Sequence, residues 1–305
     1  MKDLLTVGTV AFDSIETPYG KAEMVIGGAC TYASYAASYF TDRINLVSIV
    51  GDDFPQSEME ALEDKGVNLK GLEIKENAKS FFWAGKYHEN MNKRDTLTTD
   101  LNVLDDFNPV LPEEYKSSKY VMLGNITPEL QTQVLDQLDG TQRLIAMDTM
   151  NFWMDIAWDE LMNVISRVDI LTINDEEARQ MSGEYSLVKA AYKIHELGPK
   201  FLVIKKGEHG ALLFADDQIF YAPALPLSQV YDPTGAGDTF AGGFMGYLAK
   251  TDDVSFDNMK RAVIHGSAMA SFCVEEFSIK RLKYLRDDEV VSRVRKFKQL
   301  THFDL

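Results

Sequence analysis

Short apolar blocks rich in β-branched residues recur along the chain: LLTVGTV (4–10), INLVSIV (44–50), YVMLG (120–124), RLIAMD (143–148), VDILTIN (168–174) and FLVIKKG (201–207). Blocks of this kind suit strands covered on both faces. Helix-like segments lie between many of them, such as PELQTQVLDQL (128–138) and WDELMNVISRV (158–168). This alternation predicts an α/β fold, a central mainly parallel sheet with helices on both faces. Phe240, Phe244 and Leu248 repeat at i, i+4, i+8 and predict one buried stripe of a helix. RDDEVVSRVRKFKQL near the C-terminus predicts a solvated helix of mixed charge.

Two segments break the rhythm. Residues 14–26 and 78–101 are polar and aromatic, with strand-like alternation in SFFWAGKYHE. They predict a small added sheet that serves as a lid. The main strands deliver Asp148, Asn174 and Gly207 at their ends, and Asp232 precedes a glycine loop. In open α/β sheets ligands bind beyond the carboxyl ends of the strands, so these residues mark a crevice.

The chain has 305 residues, 45% apolar and 26% charged, and carries a formal net charge of −16. Such a chain repels nucleic acid and anionic membrane, and neither is expected as a partner. An anionic ligand would need local compensation from backbone N–H groups, a few Lys or Arg, or a metal ion. The two cysteines, Cys30 and Cys273, form no CxxC pattern and fit a reducing cytoplasm. The five histidines show no metal-ligand spacing. The apolar run of MKDLLTVGTVAFD is too short for a signal peptide, and no stretch is long enough to span a membrane.

The glycine loop is DPTGAGDTFAGG (232–243). Its GAG stands at the start of the helix predicted above, where glycines permit a tight turn and outward N–H groups. With the helix dipole, those groups form an anion site. GxGxxG fails because Phe240 takes the sixth place, and GxxxxGK[ST] occurs nowhere in the chain. Gly242 and Gly243, costly inside a helix, predict close packing of that helix against the sheet. An aspartate in a first helical turn suits the dipole on its own. Beside a phosphate cradle, Asp238 can also take a proton from an attacking hydroxyl.

DPTGAGDTFAGGF resembles the C-terminal motif of the ribokinase, or PfkB carbohydrate kinase, family, and other family landmarks follow in order over nearly the whole chain. The resemblance implies a single ribokinase-like domain over 1–305 with a small β lid. It implies an ATP-dependent kinase that phosphorylates a hydroxyl of a sugar or sugar-containing molecule. Asp238 would be the base, and Gly235, Ala236 and Gly237 the anion hole. INDEEA is similar to the family's N-x-x-E motif, so Asn174 would serve the nucleotide and Glu177 would order Mg²⁺ through water. The same spacing is a capping box.

Asp13 would grip acceptor hydroxyls, and Gly27 and Gly28 match the glycine pair that lets a sugar approach the backbone. Asn125 falls at a substrate position where ribokinases tend to have Glu. Tyr32 stands where many sugar kinases carry Asn, and Trp153 where Arg is common. Lys205, Gly207 and Gly210 resemble the segment beside the nucleotide, and His265 a helix position that packs on adenine. Asp232 and Thr234 would frame a monovalent cation, K⁺. A homodimer through the lid is a further expectation. The departures at Tyr32 and Asn125 keep a nucleoside kinase open as the alternative. A nucleotide sensor without catalysis is a third possibility, against which Asp238 speaks.

Overall fold

The computed structural model describes residues 2–302. Nine strands build the main sheet: β1 (Leu4–Val7), β4 (Ile44–Gly51), β5 (Val67–Lys75), β8 (Tyr120–Leu123), β9 (Leu144–Asp148), β10 (Ile170–Asn174), β11 (Phe201–Lys205), β12 (Ala211–Ala215) and β13 (Gln218–Ala222). Their order is β13-β12-β11-β10-β9-β8-β1-β4-β5. All neighbours pair in parallel except β11–β12 and β12–β13. From β1 the chain moves first to one side, through β4 and β5, and then to the other, through β8. This reversal opens a crevice at the carboxyl end of β1.

Both faces of the sheet are covered, as the continuous apolar blocks predict. Leu4, Leu46 and Met122 lie in one core with α1 (Ala29–Ala37), α8 (Ala236–Thr251) and α9 (Phe256–Cys273). Leu5, Val47 and Leu123 lie in the other with α3 (Pro128–Gln137), α5 (Trp158–Ile165), α6 (Asp175–Ser182) and α7 (Leu187–His195). The remaining helices are α2 (Gln56–Glu63), α4 (Asn151–Ile156), α10 (Lys280–Lys283) and α11 (Asp287–Thr301). No described helix is long and apolar enough to cross a membrane.

The two irregular segments meet in a second sheet. β2 (Ala11–Thr17) pairs antiparallel with β3 (Gly20–Gly27) and parallel with β6 (Phe81–Tyr87), which pairs antiparallel with β7 (Arg94–Asp100). The small sheet therefore begins at Ala11, and the block 4–10 is not one strand. Its main-sheet part ends at Val7 because Gly8 to Val10 carry the chain from one sheet to the other. Val10 N–H is held there by the Ser48 hydroxyl at 3.0 Å. β5 and β13, whose exposed and half-buried positions break any continuous apolar block, are the sheet edges, and β12 beside β13 is a short run of five residues.

The stripe Phe240, Phe244 and Leu248 is buried, as its period predicts. The helix glycines, however, pack on helices rather than on the sheet. A Cβ on Gly242 would lie 2.2 Å from the Ala33 carbonyl oxygen, and one on Gly246 2.8 Å from Ala37 Cα, both in α1. Gly243 faces Met269 of α9 at 2.8 Å. Helix α8 is wedged between two neighbours of its own layer, and small residues set that spacing.

Gly242→Ala gains ~1 kcal/mol of helix propensity. It must also push backbone away from backbone, an overpacking cost of ~1–3 kcal/mol. The expected outcome is a melting temperature lower by ~2 °C or more. A rise in the thermal melt would show that α1 and α8 separate freely.

Candidate active site

The glycine loop is built as an anion cradle. Gly235 adopts φ +72° and caps α8, whose first residue is Ala236. Thr239 N–H closes the first helical bond on the Gly235 carbonyl at 2.8 Å. Ala236 N–H turns back to the Pro233 carbonyl at 3.2 Å. Of the three expected anion-hole residues, Ala236 thus has its N–H engaged within the loop. The ring of Tyr32 fills the space beside Gly235, where a Cβ would lie 2.3 Å from Tyr32 Cδ2. Only glycine fits at that point. The Tyr32 hydroxyl is buried with no hydrogen-bond partner.

Lys205, at the end of β11, lies against the same loop. Its Nζ is 2.6 Å from Asp148 Oδ2 and would be 3.1 Å from a Cβ on Gly237. The pair is largely buried. Burial alone would pull the Lys205 ammonium down, but Asp148, Glu177 and Asp238 together hold it above the ordinary lysine range. Asp238 is pushed up to about 7 by burial and by Asp148, against the pull of Lys205 and Arg94.

Asn174 and Glu177 form the capping box: Glu177 N–H donates to Asn174 Oδ1 at 2.8 Å, and Asn174 N–H to Glu177 Oε2 at 2.7 Å. The box fixes the Glu177 carboxyl toward the sheet edge, where burial and Asp148 push it up to about 7. Among the described residues no group of three or more His, Cys, Asp or Glu is disposed to hold a metal ion by itself. A lone buried carboxyl of this kind suits an ion that brings most of its oxygen ligands with it.

Asp13 lies within β2 rather than at the end of a main-sheet strand. A Cβ on Gly27 would fall 1.9 Å from Asp13 Oδ2. The space freed at Gly27 is thus filled by this carboxyl. Gly28, at φ +94°, sits on the Thr9 carbonyl, 2.5 Å from where its Cβ would be. Gly27 thus leaves room for the Asp13 carboxyl, and Gly28 for the Thr9 carbonyl. Burial, then Asp232 and Asp238, push Asp13 up to about 8, against Arg94.

Asn125 and Trp153, two positions that depart from the family pattern, are bonded to each other, with Trp153 Nε1 2.8 Å from Asn125 Oδ1. Asn125 Nδ2 also reaches Met150 Sδ at 3.1 Å. Asp232 is fully buried and accepts Thr234 N–H and Ser278 N–H, both at 2.9 Å. These bonds tie the glycine loop to the segment after α9. Both Asp232 oxygens are engaged, so a monovalent cation there would rest on other oxygens as well.

The ring of His265 stacks on Tyr247 at 3.9 Å and 17°, with Phe40 edge-on at 5.4 Å. Tyr247 lies two and a half turns along α8 from Asp238, ~13 Å at ~1.5 Å per residue. His265 thus joins α9 to α8 within the helix layer, about 13 Å from Asp238. Gly210, at φ +83°, lets the β11–β12 turn pass the Ala222 carbonyl, 2.0 Å from where its Cβ would be. Its role is in the turn.

Tyr87, Asn92 and Arg94 of the small sheet and its hairpin carry no signal in the sequence that would place them at the site. Thr234 Oγ1 donates to the Tyr87 hydroxyl at 3.2 Å. Asn92 Oδ1 lies 2.2 Å from where a Cβ of Gly207 would be. The β6–β7 hairpin thus rests on both the glycine loop and the end of β11. Alternation marked these strands, but nothing in their sequence indicates what the hairpin tip touches. Asp148 was visible as a strand end, without its lysine partner.

A backbone anion cradle, a buried carboxyl beside it and a lysine at its rim, all at the carboxyl edge of a parallel sheet, define an enzyme that transfers a phosphoryl group to a hydroxyl. Residues 1–281 match the model of the pfkB family carbohydrate kinases, and the chain belongs to that family. It is 31% identical over 249 residues to a cytidine kinase of Thermococcus kodakarensis, covering 80% of this chain and 88% of that one. It is 28% identical over 290 residues to a nucleoside kinase of Methanothermobacter thermautotrophicus, covering 90% of each. Arabidopsis thaliana ribokinase, solved with ribose and ATP, superposes with a TM-score of 0.77 at 19% identity, covering 96% of this chain and 99% of that one.

The raised carboxyls predict a pH dependence of stability. Between the unfolded value near 4 and the folded values of about 7 to 8, the native state holds protons that the unfolded chain has released. Stability from these groups therefore falls as pH rises from 5 to 8. Asp13→Asn removes one share of that loss. The variant is expected to melt above the wild type at pH 8 and close to it at pH 5. Equal differences at both pH values would mean that Asp13 is charged throughout.

Proposed function

We propose that this enzyme transfers the γ-phosphoryl group of ATP to a hydroxyl on the sugar of a nucleoside. Asp238 takes the proton of that hydroxyl. The oxygen forms its bond to the γ-phosphorus as the bond to the β,γ-bridging oxygen breaks, and ADP leaves with the electron pair. A base pushed up to about 7 by burial is matched to such a transfer near neutral pH. Gly235 and Gly237 N–H groups and the α8 dipole receive the charge of the phosphoryl oxygens. Lys205, held by Asp148, stands at the same oxygens. Mg²⁺, when bound with the nucleotide, neutralises phosphate charge, and Glu177 orients its waters. Asp13 grips acceptor hydroxyls through hydrogen bonds of its carboxyl.

The observation that carries the nucleoside reading is the Asn125–Trp153 hydrogen bond. Two positions at which sugar kinases resembling this chain tend to carry Glu and Arg hold instead a neutral, partly aromatic pair. Such a pair suits a substrate with a base better than a bare polyol. The two kinases that match 80% and 90% of the chain, named for cytidine and for nucleosides, support it. A free sugar is the second reading, supported by the ribokinase likeness in fold.

The small sheet acts as a lid that excludes water from the transfer. The exposed run of β7 along the lid edge suits strand pairing with a second copy, and hence a homodimer through the lid. The net charge and paired-free cysteines suit a cytoplasmic enzyme.

A phosphotransfer assay over a panel of nucleosides and free sugars tests the substrate class. Some nucleoside is expected to exceed ribose in kcat/KM by at least ~100-fold, as for a site built to bond groups that ribose lacks. Preference for a free sugar would reverse the order of the two readings. The same assay in K⁺ and in tetramethylammonium reads the monovalent cation effect, and equal rates would remove it.

Asp238→Asn tests the base. Turnover is expected to fall ~10²–10⁴-fold. ATP binding should survive or tighten, because a negative charge beside the phosphates is gone. A folded variant that binds ATP and turns over near the wild-type rate would refute the mechanism.

A further inference from the structure

The charge balance at the site is unfavourable before any phosphate arrives. Asp13, Asp148, Glu177 and Asp238 are gathered at one edge, and Lys205 is already spent on Asp148. The nucleotide adds more negative charge. The chain as a whole, at −16, offers few cations to spare. Arg94 is one of them: among the described residues it has no ion-pair partner.

Its place is set by the lid. Arg94 is opposite Tyr87 in the β6–β7 register, and Asp13 is opposite Trp83 in the β2–β6 register. Residues directly opposite one another share a face of the sheet, and so do alternate residues along a strand. Asp13, Trp83, Tyr87 and Arg94 therefore share the face turned to the crevice. The Trp83 ring lies flat across Gly85, where a Cβ would be 2.1 Å from its Cη2. The Arg94 guanidinium rests over that ring at 5.5 Å. On one flank Tyr87 touches Thr234 of the glycine loop, and on the other Asn92 touches Gly207. Arg94 is thus poised between the cradle and the end of β11, and its charge bears on Asp13, Glu177 and Asp238.

We propose that Arg94 is a catalytic residue delivered by the lid, whose guanidinium contacts the phosphoryl group in transit and stabilises its charge. The planar fork of five donors matches phosphoryl oxygens, and its charge needs no other partner when the lid is open. Lid closure then does more than exclude water: it brings in the cation that Lys205 cannot supply. This inference rests on the kinase reading above.

The test compares wild type, Arg94→Met and Arg94→Lys in binding Mg·ADP alone and Mg·ADP with aluminium fluoride, a mimic of the phosphoryl group in transit. It also compares turnover with the best acceptor of the panel. For Arg94→Met the extra affinity conferred by fluoride is expected to fall ~10²–10³-fold, with kcat falling alongside. ADP affinity and acceptor KM should change by less than ~3-fold. Arg94→Lys should keep part of the effect, as a charge without the fork. Unchanged fluoride affinity and kcat in Arg94→Met would overturn the proposal. So would a loss explained by unprotected β6–β7 amides in hydrogen exchange, which would make Arg94 a support of the lid only. If fluoride confers no extra affinity on the wild type, the kinase reading itself fails, which is a different result.

Discussion

The ion pair between Lys205 and Asp148 is the interaction on which the site depends. A buried lysine alone would lose its proton, and a buried aspartate alone would gain one. At 2.6 Å the Asp148 carboxyl counters the burial of the Lys205 ammonium at the rim of the glycine loop. That positive charge offsets part of the burial cost of Asp238 and Glu177, which would otherwise be protonated more firmly. Breaking such a pair leaves an uncompensated buried charge and is more damaging than never having formed it. The strand ends, the loop and the capping box are arranged around this one contact.

The main architecture was legible because its physics is local. Strands buried on both faces must be apolar throughout, and the helix of Phe240, Phe244 and Leu248 carries its own period. The glycine loop was legible for the same reason: a turn into a helix start needs glycine at fixed steps. What stayed hidden depends on residues far apart in the chain. Nothing near His265 tells that Tyr247 takes its face, and nothing near Gly27 tells that the space beside it belongs to Asp13. Glycines inside a helix signal close packing, but not whether the neighbour is the sheet or, as here, another helix. Arg94 sits on a strand whose alternation was visible, while its destination is set by the path of a hairpin.

Asn125 and Trp153 show a different limit. Taken singly, each is a departure from a family pattern and says only that something differs. Once bonded, they are one change with two halves. Replacing either alone by the family's charged residue would leave a charge beside a partner unable to balance it.

The contact of Gly242 and Gly246 with Ala33 and Ala37 has a mechanical consequence. Helix α1 starts beside Gly28, next to Asp13, and α8 starts at the anion cradle. With Gly242 and Gly246 set against the backbone of Ala33 and Ala37, the two helices form one close-packed frame. The frame behaves as a stator. The lid motion proposed above then falls to the small sheet, joined to this frame through Gly8 to Val10 and through the chain before Phe81. A kinase so divided can have its moving part rebuilt, strand by strand, for a new acceptor while the seat of phosphoryl transfer stays as it was.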